Sequence, residues 1–178
     1  MTVPNLITVA RFIAVPFLLL AMMRGDMGWA FAIFLIAGIS DGIDGFIARR
    51  FGQVSELGTY LDPVADKLLL VAAFVMLGYL GALPLWLVLL VVTRDVLIVG
   101  AVALSHLMGR PVAVQPLFVS KATTAAQILL VVVILGESAG LGDIGWLNFS
   151  LQLAVAGLTI ASAAAYLISW MRHMAETG

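Results

Sequence analysis

The chain contains no cysteine and only two histidines, His106 and His173, far apart in sequence. Disulfides, thiolate metal sites and cysteine nucleophiles are therefore excluded. A zinc centre built on clustered imidazoles is also unsupported. Charge is scarce: 11% of the 178 residues are charged, against 63% hydrophobic. A soluble domain carries about a quarter charged residues, so this composition fits a lipid solvent. The net charge of −1 comes without a basic block, which removes nucleic acid from the expected partners.

What is present is a succession of apolar stretches. A spanning helix needs about 20 mostly apolar residues, and six candidates occur, near 5–23, 29–48, 60–80, 84–107, 117–136 and 147–170. Arg24-Gly25-Asp26, Arg49-Arg50-Phe51-Gly52, Gly78 to Pro84, Gly109-Arg110-Pro111 and Gly136 to Gly145 punctuate them. These short connections predict one all-α integral membrane domain over 1–178 with six transmembrane helices. Arg11 and the run after it imitate a signal peptide. The run ends at Met22-Met23-Arg24 without a small-residue cleavage pattern, so a retained first helix is expected.

A cytoplasmic N-terminus would put Arg49, Arg50, Arg110, Lys121 and Arg172 on the cytoplasmic side and Arg24 on the other, as the positive-inside rule expects. Trp29, Trp86, Trp146 and Trp170 near segment ends fit an aromatic belt. Small residues in the second segment (Gly38, Ser40, Gly42, Gly45, Ala48) and the sixth (Ala154, Ala156, Gly157, Ala161, Ala163 to Ala165) read as helix-packing positions.

Against this apolar background stand four aspartates, Asp41, Asp44, Asp62 and Asp66. Carboxylates at such places are costly and need cations or functional partners. On a helix Asp41 and Asp44 lie about 60° apart, and Asp62 and Asp66 about 40°. Two such pairs on neighbouring helices can converge on one or two hard divalent cations. Oxygen-only ligands favour Mg²⁺, Mn²⁺ or Ca²⁺. Arg49, one turn beyond Gly45, is a fixed cation suited to a phosphate. Gly42, Gly45 and Gly58 leave room for a ligand near the backbone. Pro63 is expected in the first turn of a helix. Metal, phosphate-binding arginine and a spare carboxylate suggest phosphoryl-group chemistry. Two other readings stay open, aspartates paired structurally with Arg49, Arg50 and Lys67, and an acid-lined cation transporter.

The string Asp41-x2-Asp44-Gly45-x2-Ala48-Arg49-x8-Gly58-x3-Asp62-x3-Asp66 resembles the complete motif of the CDP-alcohol phosphatidyltransferases. The six-helix plan extends the resemblance over nearly the whole chain. It implies an integral membrane enzyme, commonly a homodimer, that moves a phosphatidyl group from a CDP-linked lipid to an alcohol and releases CMP. It implies that Asp41, Asp44, Asp62 and Asp66 hold Mg²⁺ or Mn²⁺, as two ions. Gly45, Ala48, Arg49 and Gly58 would contact the cytidine diphosphate, and Asp66 would double as general base.

Two acceptors compete. Pro4 to Arg11, with Pro16, resembles both phosphatidylglycerophosphate synthases and eukaryotic-type cardiolipin synthases. The first group usually has Glu where this chain has Asp95, and Gly-Lys-x-Lys-Thr where it has Ser120-Lys121-Ala122-Thr123-Thr124. Glycerol 3-phosphate, a dianion, wants several cationic donors. Phosphatidylglycerol is a monoanionic diester and needs fewer. The expectation is therefore a cardiolipin synthase joining CDP-diacylglycerol to phosphatidylglycerol, with glycerol 3-phosphate as the alternative acceptor. Arg11, Arg94, Arg110 and Lys121 are the candidate acceptor-binding residues. Arg94 beside Asp95, mid-segment, has either a substrate role or a structural-pair role. No transit-peptide pattern is visible, so a bacterial inner membrane with a cytoplasm-facing site is expected.

Overall fold

A computed structural model describes the backbone of residues 3–51, 56–107, 118–142 and 144–176, and side chains within 9–40, 65–100, 118–142 and 144–171. The described residues form six α-helices and no strand: α1 Val3–Arg24, α2 Met27–Phe51, α3 Glu56–Tyr79, α4 Leu85–Leu107, α5 Phe118–Ser138 and α6 Gly145–Glu176. All six expected segments are helical, with boundaries shifted by a few residues. α2 runs on through Arg49 and Arg50, because no breaker intervenes before Gly52. α6 likewise continues past Trp170 to Glu176.

One local expectation is corrected. α3 starts at Glu56, so Pro63 lies inside the helix and not in its first turn. Gly58 and Thr59 are weak helix formers, which made a later start look natural. Once a helix has formed, each added residue gains a backbone hydrogen bond, which outweighs that weak preference. Pro63 still removes one helical bond from the turn before Asp66.

Helix ends follow glycine chemistry. Gly25 adopts φ 78°, and its N–H reaches the Met22 carbonyl at 3.1 Å while Asp26 N–H reaches Ala21 at 2.9 Å. This left-handed turn closes α1 and permits α2 to start two residues later. After α5, the Ile144 N–H donates to the Glu137 carboxylate at 3.0 Å, so an acid at the helix end ties down the short loop.

The chain divides into two compact units, Met1–Ala82 with Val131–Ile144, and Leu83–Leu130 with Gly145–Gly178. In the first unit α1 packs against both α2 and α3. Its core is apolar, with Leu18, Met22, Ala30, Phe74 and Leu77 fully enclosed. In the second unit α4 packs against α6. Leu87, Val91 and Val155 are buried there beside Arg94, Asp95, Thr123, Gln127, Thr159 and Ser162.

The outer surface is oily. Phe17, Ile36, Leu89, Leu97, Phe149 and Leu167 are all more than half exposed. In water such a surface would be a liability, whereas lipid imposes no cost on it. Among the described residues, Phe118–Ser138 and Gly145–Met171 are long and apolar enough to cross a bilayer. Trp29, Trp86 and Trp146 are exposed near the starts of α2, α4 and α6, as interfacial residues would be. Of the small residues expected to pack on α6, Ala156, Ala163 and Ala165 are half-buried. Ala154, Gly157, Ala161 and Ala164 lie on its exposed side, while Val155, Thr159 and Ser162 face inward.

Gln127 is fully buried, and neither its amide oxygen nor its nitrogen has a hydrogen-bond partner among the described residues. An unsatisfied buried amide costs about 1–3 kcal/mol, whereas an apolar residue of similar shape avoids that cost. Gln127→Leu is therefore expected to keep or raise the thermal midpoint of the solubilised protein. A fall of several degrees in a fluorescence melt would show that the amide is satisfied and stabilising.

Candidate functional site

The helical backbone carries the two aspartate pairs in the predicted register. α2 is continuous through Asp41 and Asp44, and α3 through Asp62 and Asp66. The angular offsets of about 60° and 40° therefore apply. Both helices have α1 as a neighbour. The side chains of Asp41, Asp44, Gly45, Ala48, Arg49, Gly58 and Asp62 lie outside the described residues, as do Arg110 altogether and the side chain of His106.

Asp66 is the described member of the set. Its side chain is 42% exposed, and one of its oxygens accepts a hydrogen bond from the Arg11 guanidinium. Arg11 is almost fully enclosed in α1. This pairing was not foreseen, since the sequence offered Arg11 as an acceptor-binding candidate. The signal for it lay in the need of a buried arginine for an anionic partner.

No group of three His, Asp or Glu suited to a metal occurs among the described residues, a set that includes only Asp66 of the four aspartates. The donor chemistry nevertheless fits a hard cation. Asp66 supplies an accessible carboxylate oxygen, and the three further candidates on α2 and α3 are all carboxylates.

Arg94 is the most engaged cation in the second unit. It is 4% exposed on α4, and its Nη1 donates to Asp95 Oδ1 at 2.8 Å. Nη2 donates to Ser120 Oγ on α5 and to Ser162 Oγ on α6, both at 2.6 Å. Nε reaches Ser162 Oγ at 3.2 Å, and the Tyr166 ring lies 5.9 Å from the guanidinium carbon. One guanidinium thus ties three helices. Of the two roles expected for Arg94, the structural pair is formed.

Thr123 is fully buried, and its hydroxyl donates within the helix to the Val119 carbonyl at 2.7 Å and across to the Leu158 carbonyl at 3.2 Å. Lys121, in the first turn of α5, is exposed. Ser162 and Tyr166 were not singled out from the sequence, and Ser120 only as the residue that replaces a glycine. Thr159, Ser162 and Tyr166 recur at intervals of three and four, a one-face pattern hidden among alanines.

Comparison with known proteins agrees with this arrangement. A family model for CDP-alcohol phosphatidyltransferase matches residues 1–171. A cardiolipin synthase (CMP-forming) of Streptomyces coelicolor is 36% identical over 130 residues, covering 70% of this chain and 60% of that protein. The human cardiolipin synthase (CMP-forming) is 34% identical over 146 residues, covering 73% and 48%. A cardiolipin synthase (CMP-forming)/mitochondrial hydrolase fusion protein of Schizosaccharomyces pombe is 34% identical over 183 residues, covering 94% and 31%. The chain thus spans less than two thirds of each of these relatives. With its apolar surface and bilayer-length helices, this is a membrane-associated protein. The aspartate motif on α2 and α3, and a family match running from the first helix into the sixth, establish that the chain belongs to the CDP-alcohol phosphatidyltransferase family.

Proposed function

We propose that this protein is a cardiolipin synthase, transferring the phosphatidyl group of CDP-diacylglycerol to phosphatidylglycerol and releasing CMP. The similarity to proteins of that name supports the reading. The observation that carries the acceptor choice is Thr123. Where a second lysine would suit a dianionic acceptor, this chain has a buried hydroxyl bonded to backbone carbonyls, which offers no cation.

In this reading Asp41, Asp44, Asp62 and Asp66 hold two Mg²⁺ or Mn²⁺ ions. Bound there, the cations supply neutralisation of the pyrophosphate charge. Gly45, Ala48, Arg49 and Gly58 bind the cytidine diphosphate portion. Asp66 takes the proton from the acceptor hydroxyl as the new O–P bond forms at the lipid-side phosphorus and the bond to CMP breaks. Lys121 and Arg110 meet the acceptor diester. Arg11 and Arg94 are engaged with Asp66 and with Asp95, Ser120 and Ser162, and would reach an acceptor only by exchanging those partners.

The reading includes six spanning helices acting as one catalytic domain over 1–178, in a bacterial inner membrane with the site on the cytoplasmic side. The bias of basic residues supports that orientation. It also includes a homodimer. The exposed small residues Ala154, Gly157, Ala161 and Ala164 would let a second helix approach closely.

The test offers purified protein CDP-diacylglycerol with either phosphatidylglycerol or glycerol 3-phosphate and identifies the lipid product. Cardiolipin with one CMP per turnover is expected. Phosphatidylglycerophosphate would select the other acceptor, and cation flux without nucleotide turnover would select a transporter.

A further inference from the structure

The ion pair between α1 and α3 is asymmetric. Arg11 contributes a side chain only 3% exposed, whereas the Asp66 carboxylate it contacts is 42% exposed. The guanidinium therefore backs the carboxylate from the protein side and leaves part of it facing outward. One Nη1 donates to Oδ1. An ionised carboxylate has about four acceptor positions on two oxygens, and the Arg11 contact fixes the direction of one of those oxygens. Gly25 closes α1 beyond its buried Leu18 and Met22, and Ala73, Phe74 and Leu77 are buried on α3. The two helices that bear the pair are thus held by packing as well as by charge.

We infer that Arg11 is a positioning residue for the metal site: from the buried side it fixes the direction of the Asp66 carboxylate, which would ligate a divalent cation. This rests on the reading of Asp66 as a metal ligand. It gives Arg11 a different task from contacting the acceptor. Hydrogen-bonded partners behind a ligating carboxylate fix its direction, and their loss typically costs 10- to 100-fold in metal affinity. An opposing effect exists, because removing a positive charge beside the site favours a cation electrostatically. The solvent-reachable side of Asp66 weakens that effect by screening, while the orientation of the carboxylate depends on the buried side, where screening is weak.

The experiment is a calorimetric titration of Mn²⁺ into the metal-stripped, detergent-solubilised full chain, without CDP-lipid or acceptor. Arg11→Met should weaken Mn²⁺ binding by about 10- to 100-fold and leave acceptor KM changed less than kcat at saturating metal. Arg11→Lys, which keeps the charge, should recover part of the affinity and guards against a variant that does not fold. Unchanged Mn²⁺ affinity in Arg11→Met with a raised acceptor KM would overturn the inference in favour of acceptor contact. Tighter binding would overturn it in favour of a competing cation. Asp66→Asn is titrated alongside. If that variant keeps wild-type affinity, the assignment of Asp66 as ligand fails; if it weakens while Arg11→Met does not, only the role of Arg11 fails.

Discussion

Asp66→Asn should remove nearly all turnover while leaving helix content close to that of the parent. Loss of a general base alone costs about 10²–10⁴-fold in rate, and loss of a ligating oxygen adds to it. Asparagine keeps the size of aspartate and retains one carbonyl oxygen to accept the Arg11 hydrogen bond, so the contact between α1 and α3 survives. The change is therefore chemical before it is structural. CMP release measured at saturating CDP-diacylglycerol and metal reads it directly. Activity within a few-fold of the parent would remove Asp66 from both roles.

Arg94→Met should produce the largest loss of stability. The substitution leaves Asp95 buried at 6% exposure beside an apolar side chain. Removing one partner of a buried pair typically costs about 3–5 kcal/mol. The bonds to Ser120 and Ser162 also disappear, but interhelical hydrogen bonds within membranes average only about 0.6 kcal/mol each. The buried carboxylate that loses its arginine thus decides the outcome. Combining Arg94→Met with Asp95→Leu should recover much of the loss, because the buried charge goes with its partner. Thermal melts in detergent distinguish the cases. A single variant that melts with the parent would mean that water or another group reaches Asp95.

The helices were legible because their signal is composition over long stretches. Six apolar runs, separated by glycine, proline and charge, became six helices among the described residues. The ends were less legible, for reasons that differ from place to place. Gly58 and Thr59 suggest a break, yet α3 starts before them because each residue added to a formed helix gains a backbone bond that outweighs a weak preference. Gly25 is a reliable stop because its positive φ is the geometry that only glycine adopts without strain.

The aspartate motif was legible because its spacing is unusual in an apolar chain. The partners of Arg11 and Arg94 were not. Arg11 and Asp66 are 55 positions apart, and Arg94 and Ser162 are 68 apart. No periodicity within one helix reports a contact between two. The alanine-rich composition of α6 pointed to packing, while its inward face is set by Val155, Thr159 and Ser162. Position along a helix showed which residues share a face, but tertiary packing decided which face turns inward.

The central claim is that carboxylates of α2 and α3 jointly hold divalent cations that bind a CDP-linked lipid. Anomalous diffraction from crystals grown with Mn²⁺ and CDP-diacylglycerol tests it most directly. Manganese peaks are expected about 2.0–2.6 Å from oxygens of Asp41, Asp44, Asp62 and Asp66, with the pyrophosphate of the lipid nucleotide on the same ions. Manganese bound elsewhere, with the four carboxylates directed to separate sides of their helices, would contradict it.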